Sequence, residues 1–421
     1  MVQLNKTFEQ LAMAEHAPSW HAKVPTRPRT KPTSSSTAAA LPESTAHLLA
    51  LLSRLFTPFR TSPTFTTTLQ HVKGLLYNKQ YLEAFGTESD PGERWREVYV
   101  SRWTPARALM YERILRECRV AETLGWAEET EDEEREVSEQ RREKERQAKA
   151  AAKAKVKEEQ EKEVIMIGAG AGSEVLGLAC VLGSAAAAED EDEDEDEAAA
   201  ERRKRRPRVK VKAVDQGSWG ALIGKMEQGV REEWPVLAGE PLDAAAGDFE
   251  VEFIKGDVLE AFSPAPAPSD SSAPSDSSAP SHSSATSSPS ASPLLNLDYS
   301  SPALSLVTIC FTISELLLQS RLSTLRFLSH LSSSAPSGMH LLIVESASLA
   351  LIPLGKSGRT YPLGQLLDHA LCGEGKWDVV KSEESQWYRM PDGAEEAYNQ
   401  GTGTRVKLEN SRVVIRLYRK K

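Results

Sequence analysis

The chain has 421 residues, of which 40% are hydrophobic, 6% aromatic and 27% charged, with a formal net charge of −10. That length admits roughly two or three domains, and four widely spaced cysteines without a CxxC pair argue against a zinc site or a disulfide framework and for a reducing compartment. The acidic balance does not exclude a nucleic-acid partner, because EDEDEDEDE at Glu189–Glu197 carries nine of the negative charges, whereas residues 1–126 hold 16 Lys/Arg against 11 Asp/Glu and residues 401–421 hold seven against one.

No charged-then-apolar leader opens the sequence as given, so secretion is not expected. Residues 1–44 lack hydrophobic periodicity and read as a disordered N-terminus. From residue 45 to residue 126, AHLLALLSRLF, LQHVKGLLYNKQYLEAF and RALMYERILRECRVAETLGW repeat apolar residues at three- and four-residue spacing, which predicts a helical module. Residues 127–163 are almost all charged and polar and read as an exposed helix or linker.

The remainder, 164–421, is interrupted by two low-complexity inserts. Residues 185–206 run from alanines through the acidic tract to RRKRR, which suits a nuclear import signal or a counter-charge to the acids. Residues 263–293 contain the pseudo-repeat PSDSSAPSDSSAPSHSSA. With the inserts set aside, VIMIG, VKVKAVD, VEFIKGD, LSLVTICF and HLLIVES are strand-length apolar runs separated by helical segments. Strand–helix alternation predicts an α/β fold, with a parallel sheet covered on both faces. WDVVKSEESQWYRM and RVVIRLYRK then alternate like a terminal antiparallel pair, for seven strands in all.

VIMIGAGAGSEVLGLACVLG (164–183) is long enough to cross a membrane, but five glycines and Glu174 weaken that reading, and no membrane association is expected. A strand, a glycine turn and a helix fit better. Gly168, Gly170 and Gly172 allow torsions and close approach that a Cβ blocks, and the helix start beyond them offers free N–H groups to a ligand. Such folds place an acid about twenty residues further on, at the end of the second strand, where it holds ribose hydroxyls. Asp215 takes that place once the first insert is removed, although it would also serve as a cap for the following GSWGAL.

Loop and acid together are shared by nicotinamide enzymes and enzymes that use S-adenosylmethionine (SAM). The GxGxG form and Asp257 after the third strand, suited to an adenine amino group, lean towards SAM as cofactor; Trp219 is expected to cover the adenine. The acid often found two residues before the first glycine is here Met166.

These segments resemble the fungal 25S ribosomal RNA uridine-N3 methyltransferase family. The resemblance rests on YVSRWTPARALMY, IMIGAGAGSE, VDQGSW, LVTICFTISELLLQSR, LLIVESAS, YPLGQLLDH, SQWYRM and LENSRVVIRLYRK. It implies a Rossmann-like class I methyltransferase sheet with the last strand antiparallel. It also implies SAM as donor, a uridine of large-subunit ribosomal RNA or a pre-ribosomal particle as acceptor, and a nuclear or nucleolar place of work, with the cytoplasm as alternative. A monomer without a metal is expected.

In such a fold the acceptor site lies beyond the fourth strand, at FTISEL. Glu315 is the candidate general base, and Thr312 or Ser314 the candidate contact to a uracil carbonyl. Ser314 and Glu315 also suit the first turn of a helix. Arg102, Trp103 and Arg107 in the helical module, with Trp387 and Tyr388 near the C-terminus, are candidate RNA contacts. Two other readings stay open: a SAM enzyme acting on a protein or small molecule, and a nicotinamide-binding protein.

Overall fold

A computed structural model describes residues 41–86, 90–126, 161–191, 206–234, 248–263, 295, 297–354, 359–373 and 375–421. The expected disordered N-terminus up to residue 40, nearly all of the charged linker, and most of both inserts lie outside the described residues.

Seven strands form one sheet: β1 (Lys162–Ile167), β2 (Val209–Asp215), β3 (Phe249–Lys255), β4 (Leu304–Cys310), β5 (His340–Ser346), β8 (Trp377–Tyr388) and β9 (Ser411–Lys420). Their order is β3-β2-β1-β4-β5-β9-β8. The first five are parallel, and β9 inserts antiparallel between β5 and β8. This is the Rossmann-like, mostly parallel sheet with an antiparallel last strand that the strand pattern predicts. A small hairpin of β6 (Leu351–Leu354) and β7 (Arg359–Pro362) follows β5; the sequence reading did not anticipate it.

Successive side chains on a strand face opposite ways, and the sheet has a core on each side. Val164 and Met166 of β1 enter one hydrophobic cluster, and Ile165 and Ile167 enter the other. The helical module comprises α1 (Glu43–Arg60), α2 (Phe65–Tyr77), a π-helical turn (Leu82–Gly86), α3 (Asp90–Glu117) and the single turn α4 (Val120–Thr123). Leu48, Leu52, Leu109 and Ile114 of the module share a continuous core with Val164, Met166 and Leu342 of the sheet. The module is therefore the helical layer over one face of the sheet.

The layer packs closely because of what one helix lacks. In α5 (Ser173–Glu191), which extends into the alanine and acid run, Gly177 lies against α3. A Cβ there would stand 2.9 Å from the Tyr111 Cβ and 3.0 Å from the Glu112 nitrogen. Pro105 inside α3 supplies no N–H for the carbonyl of Ser101, four residues back. The Tyr398 hydroxyl donates to that carbonyl at 2.7 Å, so the break is satisfied by tertiary structure. Tyr398 belongs to α10 (Ala394–Asn399), a short helix the sequence reading missed.

The other face carries α7 (Ile313–Gln319), α8 (Arg321–Ser334) and α9 (Leu363–Cys372); α6 (Gly220–Glu233) follows β2. The long pattern ISELLLQSRLSTLRFLSHL splits at Ser320, whose backbone is extended (φ −159°) and whose hydroxyl accepts the Ser323 N–H, capping α8.

Candidate functional site

The carboxyl ends of β1, β2, β3 and β4 open into a cavity of about 990 Å³. Parallel strands put their carboxyl ends on one edge, so residues far apart in sequence converge there. Gly168, Asp215, Trp219, Asp257, Thr312, Ser314, Glu315 and Arg107 all line this cavity. A second, shallower hollow of about 290 Å³ lies elsewhere, beside Glu395 and Arg405, and none of the candidate residues lines it.

Beyond β1 the chain turns through Gly168 (φ +79°), which brings its Cα against Thr312. A Cβ at Gly168 would fall 1.9 Å from the Thr312 Oγ1. Gly170 lies beneath Trp219 and Asp215, where a Cβ would stand 2.1 Å from the indole and 2.7 Å from the carboxyl carbon. Gly172 does different work. It packs on Met226 of α6 and does not line the cavity.

Asp215 closes β2 and receives three N–H groups. Gly170 donates to Oδ2 at 3.2 Å, and Gly217 and the Trp219 indole donate to Oδ1 at 2.7 and 3.0 Å. Burial pushes its carboxyl above the ordinary carboxylate value, and these donors pull it back. A carboxylate has about four lone-pair sites, so three donors leave room for a further one from the cavity. Asp257 accepts the Leu259 N–H at 2.8 Å and the Gln319 amide at 2.5 Å, the latter across the cavity rim from α7.

The β4 side holds the remaining candidate residues, Thr312, Ser314 and Glu315. Phe311 has φ +52°, a region that bulky residues seldom occupy, and its N–H donates to the Val344 carbonyl at 2.7 Å. Thr312 spends its hydroxyl proton on the Cys310 carbonyl at 2.9 Å. The Ser314 N–H donates to Glu345, which is fully buried at the end of β5 and also takes the Ser346 N–H. Glu345 thus caps α7 and is not a cavity residue. Glu315 points into the cavity, so its surface is reachable although protein surrounds it. Burial pushes its carboxyl up to about 7, Glu345 and Asp215 add to the rise, and Arg107 opposes it.

The module closes the opposite wall with Tyr81, Phe85, Tyr99 and Arg107. The Ser218 N–H donates to the Phe85 carbonyl at 2.7 Å and its hydroxyl to Gly86 at 3.1 Å, pinning this wall to the loop after β2. Phe85, Tyr99 and Trp219 pack ring on ring, with centroids 4.8 to 5.8 Å apart. Nothing in the sequence flagged Tyr81, Phe85 or Tyr99, since on a helix they are indistinguishable from core aromatics. Glu174 was visible only as an acid in an apolar run. It is buried behind the glycine turn, accepts the Thr308 hydroxyl at 3.1 Å, and is pushed up to about 7 by burial.

The five expected RNA contacts separate. Arg102 is buried and donates to the Lys407 carbonyl and to Glu409, so its guanidinium is already engaged within the chain. Tyr388 is fully buried and donates to Glu117 at 2.7 Å, which corrects its placement on an RNA-facing surface. Trp103 is partly buried beside Tyr99, centroids 4.7 Å apart. Arg107 lies inside the cavity, not on an outer surface. Trp387 is 53% exposed, with the Arg412 guanidinium 5.9 Å from its ring centre, away from the cavity.

Among the described residues no group of three His, Cys, Asp or Glu could hold a metal ion, and no helix is long and apolar enough to cross a membrane.

A family model described as "Putative SAM-dependent methyltransferase" matches residues 52–419. A curated relative, the 25S rRNA (uridine(2843)-N(3))-methyltransferase of Saccharomyces cerevisiae, is 27% identical over 213 residues, 49% of this chain and 46% of the relative. The chain therefore spans about half the length of the curated relative it matches. Among solved structures, a SAM-dependent methyltransferase from Methanosarcina mazei is 10% identical, with a TM-score of 0.30 over 62% of this chain and 93% of that one. The magnesium protoporphyrin IX methyltransferase of Synechocystis with bound SAM is 14% identical, with a TM-score of 0.25 over 61% and 69%.

Proposed function

Since the chain belongs to the SAM-dependent methyltransferase family that matches it over residues 52–419, we propose that it methylates N3 of a uridine in large-subunit ribosomal RNA. The observation that carries the reading is one cavity lined by Gly168, Asp215 and Asp257 together with Phe311, Thr312, Ser314 and Glu315. The acceptor is taken from the name of the yeast relative. On this reading the substrate is rRNA or a pre-ribosomal particle, and the protein works in the nucleus or nucleolus, where that RNA is made.

The residues fit SAM by chemistry. The glycine turn keeps the strand end free of Cβ atoms, Asp215 retains an acceptor site for ribose hydroxyls, and Asp257 offers an acceptor to an adenine amino group. Trp219 is held by Asp215 and walls the cavity. When bound, SAM supplies an electrophilic methyl group on a sulfonium.

The protein's own task is to position the acceptor and move one proton. Uracil N3 lies on the base-pairing edge, so the nucleotide must be unpaired or flipped out to enter the cavity. Glu315 takes the N3 proton, leaving negative charge spread over N3 and the two flanking carbonyls. A carboxyl raised to about 7 suits this, since a base works best when its pKa lies near the operating pH. Thr312 and Ser314 suit carbonyl contact less well than expected, since the Thr312 proton is committed to Cys310 and Ser314 is tied to Glu345. Their part is to fix the turn that aims Glu315. The exposed Trp387–Arg412 pair offers a stacking and charged surface to RNA.

The test is nucleoside mass spectrometry of large-subunit rRNA from a strain lacking the gene, before and after incubation with purified protein and SAM. A 3-methyluridine peak restored by the wild type and not by Asp215→Ala is expected. Absence of that peak on both naked rRNA and pre-ribosomal particles would overturn the assignment.

A further inference from the structure

Every strongly placed acid in the cavity has a role in the reading above, but Arg107 does not. It enters from the helical module, on α3, and lines the same cavity as Gly168, Ala171 and Phe311, with Phe311 against its guanidinium. Its hydrogen bond to protein among the described residues runs from Nη1 to the Tyr99 hydroxyl, at 2.8 Å. No carboxylate among the described residues stands within ion-pair distance of it. A guanidinium has five N–H donors, so most of its donor capacity faces cavity and rings. A cation so deeply surrounded is costly unless an anion joins it.

Its location says which anion. Strands β2 and β4 flank β1 on opposite sides. Asp215 ends β2, and Asp257 follows β3, one strand further out on that side. Arg107 lies on the other side, its guanidinium carbon 5.2 Å from the Phe311 ring centre beyond β4. It is also held against the glycine turn: Thr104, three residues earlier and so on the same helical face, donates to the Ala171 carbonyl at 2.9 Å. A ligand whose ribose met Asp215 and whose adenine met Asp257 would extend its remaining portion across the glycine turn towards the β4 side, where Arg107 lies. In SAM that portion is an amino acid bearing a carboxylate. The strand position where an acid often serves the amino-acid end carries Met166, which is fully buried.

We propose that Arg107 binds the carboxylate of the methionine portion of SAM, so that the helical module completes the cofactor site. The inference rests on the reading of the chain as a SAM-dependent methyltransferase. The planar fork of Arg107 matches a carboxylate with two parallel hydrogen bonds, and Tyr99 and Phe311 hold the fork in place.

The experiment is calorimetric titration of the full chain with S-adenosylhomocysteine and with its decarboxylated analogue, which keeps the adenosine and the amine. Wild type should bind the carboxylate-bearing ligand about tenfold to a hundredfold more tightly. Arg107→Met should lose most of that difference while binding the analogue within about twofold of wild type, and Arg107→Lys should fall between. Equal weakening for both ligands would mean that Arg107 only supports the fold, and overturns the proposal. Unchanged binding of both ligands with slowed methyl transfer would move Arg107 to the acceptor and also overturns it. If wild type binds neither ligand, the SAM reading itself fails, an outcome distinct from the other two.

Discussion

Thr104 and Ala171 lie 67 residues apart, yet the Thr104 hydroxyl donates to the Ala171 carbonyl at 2.9 Å. One residue belongs to the helical module and the other to the glycine turn, so the turn is held by an element outside the strand–helix unit that forms it. Thr104→Val keeps the volume and removes the donor. It should lower stability by about 1 to 2 kcal/mol and weaken S-adenosylhomocysteine binding, as read by thermal melting and calorimetry. A variant that melts and binds like wild type would show that the tie is incidental.

Asp215→Asn should keep the fold and lose the ligand. The carboxylate gathers the N–H groups of Gly170, Gly217 and Trp219, and an amide replaces one acceptor oxygen with donors that face them. Charge-assisted hydrogen bonds are the stronger kind, so S-adenosylhomocysteine affinity should fall at least about tenfold. Unchanged affinity in a titration would remove Asp215 from the site.

Glu315 should impose a pH dependence on the chemical step. A base acts in its deprotonated form, so single-turnover methylation should climb as pH rises through about 7 and then level off. Glu315→Gln should flatten the profile and slow the step by roughly a hundredfold to ten-thousandfold. A variant retaining the wild-type rise would place the base elsewhere.

Glu174 predicts a different pH effect, on stability. Its folded pKa is raised from 4.5 to about 7, so between those values the unfolded chain loses the proton while the folded chain keeps it. Stability therefore falls as pH rises through this window and is flat above it. Glu174→Gln keeps an acceptor for the Thr308 hydroxyl and removes the ionisation. At pH 8 it should be more stable than wild type, by up to about 3 kcal/mol, and near equal at pH 4.5. Parallel melting curves at the two pH values decide the matter.

Gly177→Ala should weaken the whole molecule together. The added methyl meets Tyr111 at 2.9 Å and the Glu112 backbone at 3.0 Å, so α3 and α5 must part, at a cost of about 1 to 3 kcal/mol. Since module and sheet share one core, calorimetry should record a single transition at lower temperature. Two separated transitions would contradict the shared core.

How much of this was legible in the chain depends on whether the signal is local. The strands VIMI and LSLVTIC announce themselves because a strand buried on both faces is apolar almost throughout, whereas VKVKAVD shows as an alternation of buried valines and half-buried lysines. The glycine turn and Asp215 follow from spacing along one strand–turn–helix–strand unit, and the cavity lining contains both Gly168 and Asp215. The break at Ser320 was hidden, because the helical period continues across it and only the observed backbone shows the new cap.

The sequence by itself determined the strand–helix alternation, the glycine turn, the acid at the end of β2 and the family resemblance, since each depends on residues close in the chain or on a shared pattern. Tertiary structure alone decided which charges are available. Arg102 and Arg107 sit five residues apart in RWTPARAL, but one is spent on Lys407 and Glu409 and the other opens into the cavity. It also decided which acid is free to act: Glu345 is consumed as the cap of α7, and Glu315 faces the cavity. The physical reason is that burial and partnership set the state of an ionisable side chain, and each of these four residues has at least one such neighbour from an element remote in sequence: Lys407 for Arg102, Phe311 for Arg107, Ser314 for Glu345 and Asp215 for Glu315.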